Sequence, residues 1–296
     1  VLVIELALAA VIVPRLIVWG LDPLTALWQG GYLAASAFTN TGFVPLVDGL
    51  SPFATDPIMV FTIGIGVFLG SIGFPVIYAI ARAFKTARLR RLRKTLDHAR
   101  LGIHAKLTLT TTTILLVVGA LAIGALEWGN EKTLGSQSGA YRPMTALFVS
   151  MMSRSGGFNT VDTSEMNGAT LLVLDMLMFV GGGSASTAGG IKVTTLAILF
   201  LAAFAEARGN QDIVAYERRI PSDTVRLAVS VVLWGASIVA ISTILILRIT
   251  DAPLEKLLFD VISSFASCGL SARLTSTDLP DSAKYVLAAT LLFGRV

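Results

Sequence analysis

Apolar runs sparse in charge recur along the chain at about residues 1–20, 57–81, 107–126, 169–205, 225–247 and 284–296. A helix needs about 20 such residues to cross a bilayer. Every run but the last approaches or exceeds that length. Two kinds of connection alternate between the runs. Stretches 82–106 and 205–226 are polar, whereas 21–56, 127–168 and 250–283 are weakly apolar and rich in Gly, Ser, Thr, Asn and Pro. Each weakly apolar stretch holds a short helical pattern: "DPLTALWQGGYLAASAF", "YRPMTALFVSMMS" and "APLEKLLFDVISSFA". Each has a proline near its start, where the first helical position favours it. All three are too short to cross, which predicts helices that enter the membrane and turn back. A glycine motif ends each one: "SAFTNTGF" (36–43), "SRSGGF" (153–158) and "SSFASCGL" (263–270). Their glycines Gly42, Gly157 and Gly269 are 115 and 112 residues apart. That near-constant period marks an internal repeat of span, short helix, glycine motif and span.

Composition agrees with the pattern. The 296 residues are 54% hydrophobic and 14% charged, against about 25% charged in soluble domains. The net charge of +4 matters less than its placement. The stretch 82–106 carries nine Lys or Arg and one acid, Asp97, and is therefore expected on the cytoplasmic side. The nearly charge-balanced 205–226 should lie on the same side. One cysteine, Cys268, excludes an internal disulfide. The start shows no cleavable signal peptide. With Val1 first and Val296 inside an apolar run, the chain reads as a fragment cut at both ends.

Polar, glycine-bearing backbone at membrane depth is tolerated where it lines protein or water. Its carbonyls suit a narrow pore in which they replace the water around a cation. Glycine permits backbone angles that a Cβ forbids, and the short helix aims its partly negative C-terminus at the path. The motifs hold no carboxylate, which favours a monovalent cation over Ca²⁺ or Mg²⁺. The competing reading is three ordinary extracellular turns; equal spacing and equal context speak against it. A second feature, "FVGGGSASTAGGIKVTTL" (179–196), interrupts the run 169–205. Glycine weakens a helix by about 1 kcal/mol per residue, so this is a helix broken at membrane depth. It is read as a flexible loop lining a cavity, with a small-residue packing surface as the alternative. It is not a nucleotide-binding loop: Lys192 follows Ile191 rather than glycine, and Val193 replaces the required Ser or Thr.

Together "SAFTNTGF", "SRSGGFNTVD", "GGGSASTAGGIKVTT" and "SSFASCGL" resemble the Trk/Ktr/HKT superfamily of potassium and sodium transporters, most closely the bacterial Ktr-type membrane subunit. The resemblance covers essentially the whole chain. It implies an all-α membrane protein in which four membrane–pore-loop–membrane repeats surround one pore. This chain would supply repeats two (1–81), three (107–205) and four (225–296, truncated), with cytoplasmic loops at 82–106 and 206–224. The family's filter would fall on Thr39, Asn40, Thr41 and Gly42; on Arg154, Ser155, Gly156 and Gly157; and on Ala266, Ser267, Cys268 and Gly269. K⁺ would be bound by backbone carbonyls of Asn40, Thr41, Ser155, Gly156, Ser267 and Cys268. The gating loop would be Gly181, Gly182, Gly183, Ser184, Ala185, Ser186, Thr187, Ala188, Gly189 and Gly190, with Lys192 and the pore-facing Arg295 beside it. The resemblance further implies a bacterial cytoplasmic membrane, a homodimer and a ring of nucleotide-binding regulatory subunits. No cofactor belongs to the chain itself, and nucleic acid is not a partner. K⁺ and Na⁺ both stay open as cargo, because the first repeat influences that choice.

Other residues admit more than one reading. Arg154 braces the filter from behind, since a cation in the path would repel K⁺; the alternative is a surface arginine. Cys268 offers its carbonyl and packs its thiol behind. Lys192 either acts at the loop or extends to the interface. Asp175 pairs with a basic residue or tunes the cavity, and Glu5 and Arg15 are unassigned. The basic stretch contacts anionic lipid or docks a partner. A solute-coupled transporter with broken helices is the alternative class, but it predicts inverted repeats. An intramembrane enzyme is excluded, because His98 and His104 both lie in the basic loop, away from any nucleophile.

Overall fold

The structure is a computed structural model that describes residues 1–46, 49–93, 101–210, 212–274 and 279–295. The described residues are mostly α-helical, joined by irregular loops, with a two-stranded hairpin near residue 216. Helix α1 (Leu2–Val18) leads through a turn to α2 (Pro23–Phe38), whose N-terminus is capped by the Asp22 carboxylate accepting from Thr25 N–H at 3.0 Å. Helix α3 (Pro57–Ile72) packs on both, around Ile12, Leu33, Phe38 and Ile63. Asp56 caps α3 by accepting from the N–H groups of Ile58 and Met59. Its other oxygen accepts from Arg15 Nε at 2.6 Å. Arg15 thus serves to hold α1 against the N-terminal end of α3.

The run 57–81 is not one straight helix. It breaks at Gly73, and α4 (Phe74–Arg93) departs at 103° from α3. Gly73 sits at φ 98°, a conformation that suits glycine, and Pro75 follows at the start of the new helix. The first half of the basic stretch is therefore a helical arm rather than a loop. His98 and Asp97 lie outside the described residues.

The second group comprises α5 (Ile103–Glu127), α6 (Arg142–Met152), α7 (Gly168–Phe179) and α8 (Val193–Ala207). Helices α7 and α8 are the two halves of the run interrupted at 180–192, as the glycine pattern predicts. Glu127, fully buried at the end of α5, accepts from Asn130 Nδ2, Thr133 Oγ1, Asn167 N–H and Thr170 Oγ1 at 2.5–2.8 Å. One carboxylate thereby closes the loop after α5 and satisfies donors at the start of α7. A tight hairpin, β1 (Val214–Ala215) with β2 (Arg218–Arg219), precedes α9 (Ser222–Leu247). Its tip is tied to α5 by a hydrogen bond between Tyr216 and Thr110 at 2.6 Å. His104 is half-buried at the start of α5.

The last group is α9, α10 (Leu254–Phe265) and α11 (Asp281–Arg295). Helix α10 packs on α7, α9 and α11 around Phe259, Phe265 and Leu174. Pro253 is the N-cap of α10, one place before the expected first helical position. Helices α5 and α9 are each long and apolar enough to cross a membrane, and the bent α3–α4 pair passes the same test jointly.

Candidate functional site

The short helices α2, α6 and α10 end at the three glycine motifs, and the motifs share one backbone path. Asn40, Ser155 and Ser267 are left-handed, at φ 54°, 64° and 48°. Gly42, Gly157 and Gly269 are too, at φ 78°, 74° and 90°. The residues between them, Thr41, Gly156 and Cys268, are not. Three non-glycine residues held at the same unfavourable angle in three copies are positions where the site dictates the backbone. The N–H groups of Thr41, Gly156 and Cys268 donate back to Ser36, Met152 and Ser263 of the preceding helix, at 2.8–2.9 Å. Their carbonyls are left on the far side, and there the three motifs meet. A Cβ added to Gly42 would lie 3.0 Å from the Gly156 oxygen. One on Gly157 would lie 2.5 Å from the Cys268 oxygen, and one on Gly269 would lie 3.9 Å from the Thr41 oxygen. The carbonyl before each glycine thus faces the glycine of another motif.

Side chains behind this backbone interlock the copies. Ser155 Oγ donates to the Ala266 carbonyl at 2.9 Å, and the fully buried Cys268 thiol donates to the Met152 carbonyl at 3.3 Å. Thr39 Oγ1 turns back to the Ala35 carbonyl at 2.8 Å. The Asn40 amide is buried with neither atom hydrogen-bonded among the described residues, and Ser267 Oγ is likewise unpaired. Both line a cleft of about 600 Å³ between the first and third motifs, with Thr39 and Thr41 on one wall, Gly269 on the other, and Arg295 at its end.

The loop Gly181–Gly190 lies against the same assembly. Its ends are joined by a parallel bridge between Val180 and Ile191. Gly183 N–H donates to the Ser71 carbonyl at 2.7 Å, Thr187 N–H to Gly70 at 3.3 Å, and Phe74 N–H to Ala185 at 3.2 Å. The loop is therefore zipped onto the break between α3 and α4. Thr187 Oγ1 reaches the Phe38 carbonyl at the end of α2. Gly189 abuts the Ala266 carbonyl at the end of α10, leaving 2.5 Å for an added Cβ. Lys192 Nζ donates to the Ala188 carbonyl at 2.8 Å, so this ammonium is turned to the loop. Arg154, only 3% exposed, is buried behind the second motif rather than at the surface.

Several participants were not singled out in the sequence: Gly70, Ser71 and Gly73, which receive the loop, and Thr112, which receives Arg154. The Gly73-Phe74-Pro75 step and the threonine run 110–113 inside an apolar span are their visible signals. Asp260, in α10, accepts from Ala272 N–H at 2.7 Å and Ser271 Oγ at 2.9 Å, fixing the segment that leaves the third motif. Asp175 makes no ion pair among the described residues; it is buried in α7 beside a groove that it shares with Leu171, Leu254 and Glu255. Glu5 is half-buried in the first turn of α1. Arg273 pairs with Asp162, joining the segments that follow the second and third motifs. Partial burial pushes the Asp162 carboxyl up, but bonds from Ser164 and the charges of Arg273 and Lys256 outweigh it and hold it below the usual carboxylate range. Among the described residues, no group of three His, Cys, Asp or Glu is placed to hold a metal ion.

The profile of the family described as TrkH, cation transport protein, matches residues 6–296. The chain belongs to the TrkH cation transport protein family. It is 34% identical over 275 residues to the Ktr system potassium uptake protein B of Vibrio alginolyticus, covering 91% of this chain and 58% of that protein. It is 34% identical over 273 residues to the Ktr system potassium uptake protein D of Bacillus subtilis (strain 168), covering 92% and 58%. The crystal structure of the potassium transporter TrkH from Vibrio parahaemolyticus matches with a TM-score of 0.74 at 20% identity, over 98% of this chain and 60% of that one. The two share a fold. The chain spans 58% of the length of these two curated relatives.

Proposed function

We propose that this chain is the ion-translocating part of a potassium uptake system, carrying K⁺ along a path of backbone carbonyls. The observation that carries the reading is the set of Thr41, Gly156 and Cys268 carbonyls, each facing another motif's glycine. Among the described residues no backbone N–H donates to these carbonyls, an arrangement poor for packing and good for a dehydrated monovalent cation. Those of Asn40, Ser155 and Ser267 are the next ligands along the path, and Gly42, Gly157 and Gly269 hold the geometry. In this reading residues 1–81, 107–205 and 225–296 are three copies of one unit, and the cleft between the first and third motifs accepts a fourth.

The loop Gly181–Gly190 is the gate, held shut by Lys192 and faced by Arg295. The setting is the bacterial cytoplasmic membrane. A homodimer and a nucleotide-binding regulatory ring on the basic, cytoplasmic face complete the system, the nucleotide staying on the partner. The test is rescue of K⁺ uptake in a transport-deficient bacterium by the full-length protein. Deleting residues 183–188 should raise flux, and unchanged uptake sinks the gate. Na⁺ carried as well as K⁺ would assign the chain to the sodium-permeating alternative.

A further inference from the structure

The reading of a carbonyl path and a loop gate leaves open how the two communicate. We infer that Arg154 is a positioning residue that ties the second motif to the loop, so that ion occupancy in the one and the conformation of the other depend on each other. The inference rests on that reading.

The guanidinium of Arg154 reaches two separate elements. Nη1 donates to the Thr112 carbonyl on α5 at 3.0 Å, and Nη2 donates to the Gly181 carbonyl, the first of the loop, at 3.2 Å. A longer contact runs from Nη2 to Thr112 Oγ1 at 3.4 Å. Every acceptor is a neutral oxygen, and Nε has none among the described residues. Among the described residues no carboxylate pairs with this cation. A buried charge held only by a few carbonyls depends strongly on each of them. If the loop withdraws Gly181, the guanidinium loses one of two well-formed bonds and must move.

That movement reaches the ion path directly. Arg154 is bonded in sequence to Ser155, whose left-handed backbone precedes the Gly156 carbonyl and whose hydroxyl holds Ala266 of the third motif. Gly189, at the other end of the loop, abuts that same Ala266 carbonyl. The loop is thus coupled to the second motif by a side chain and to the third by contact. The equivalent positions in the other motifs cannot do this: Thr39 turns back on its own helix, and Ala266 has no polar side chain. The planar fork of arginine suits a two-element bridge in a way that an ammonium does not.

The experiment uses the full-length protein carrying Ser184→Cys in lipid vesicles, with and without Arg154→Lys. The native Cys268 is fully buried and should add little background. The readout is the rate at which a water-soluble thiol reagent modifies the loop cysteine, with K⁺ present and with K⁺ replaced by an impermeant organic cation. With Arg154 in place, K⁺ should change the rate about fivefold or more, the low end of ordinary site-to-site coupling. Arg154→Lys should abolish most of that dependence, and Arg154→Gln should too. An arginine that is merely structural would lower protein yield and leave the K⁺ dependence intact, which overturns the inference. If neither variant reaches the membrane, the parent decides, because a rate indifferent to K⁺ also overturns it. Uptake measured on the full-length protein without any substitution separates the two failures. No K⁺ uptake sinks the transport reading, whereas uptake with an unlinked loop sinks only the role of Arg154.

Discussion

Replacing Gly157 by alanine probes the ion path at its tightest point. Gly157 sits at φ 74°, where an L-residue loses about 1–2 kcal/mol. The new Cβ would also stand 2.5 Å from the Cys268 oxygen and 3.0 Å from Gly42 Cα. An ordinary non-bonded separation is about 3.5 Å, so backbone must yield by roughly 1 Å. Overpacking of that kind costs about 1–3 kcal/mol. The sum, about 2–5 kcal/mol, falls on carbonyls that the proposal assigns to K⁺. Since about 1.4 kcal/mol is tenfold in an equilibrium, uptake at limiting K⁺ should fall at least about tenfold, with discrimination against Na⁺ reduced. The assay is Rb⁺ uptake by cells expressing the full-length variant, with Na⁺ as competitor and membrane protein level as the control. Gly31→Ala is the matched comparison. It lies within α2 with nothing within 4 Å of the added carbon, and should transport normally. Normal Rb⁺ uptake and Na⁺ discrimination by Gly157→Ala, at normal protein level, would refute the reasoning.

Other sites give independent tests. Glu127→Ala strands four donors in a fully buried position and should destabilise the folded protein by about 3–5 kcal/mol, measured by thermal unfolding in detergent; a loss below 1 kcal/mol would contradict the hub. Lys192→Met frees the Ala188 carbonyl and should raise flux severalfold, with unchanged flux arguing against a latch. Because the Asp162 carboxyl is held below its ordinary value, its stabilisation is full above about pH 4 and fades as pH falls through the lower folded-state value. The unfolding temperatures of the parent and Asp162→Asn should therefore differ near neutral pH and converge in strong acid. Convergence already at pH 6 would be wrong for a depressed carboxyl.

The three short helices and their glycine motifs were legible because their signals are local. Short helices announce themselves by a proline near the start and a glycine at the end, and the Gly181–Gly190 interruption by sheer glycine density. The break at Gly73 was not, since 57–81 holds no charged residue and Gly73 follows three other glycines that stay helical. Reading the Gly73-Phe74-Pro75 step as a stop and restart would have found it. Long-range partners were hidden for a different reason. Arg15 and Asp56 are 41 residues apart, and Arg154 meets Thr112 across 42, so no window of sequence contains either pair. A charge in an apolar run says that a partner is needed, and packing alone says which. The positive φ at Asn40, Ser155 and Ser267 was equally invisible, because nothing in those side chains demands it.

The most direct test is to locate the ion. Crystals of the full-length protein soaked in Rb⁺ or Tl⁺ should show anomalous density between the carbonyls of Thr41, Gly156 and Cys268, with further density toward Asn40, Ser155 and Ser267. A protein that transports K⁺ yet binds these ions elsewhere, with those carbonyls empty, would contradict the account.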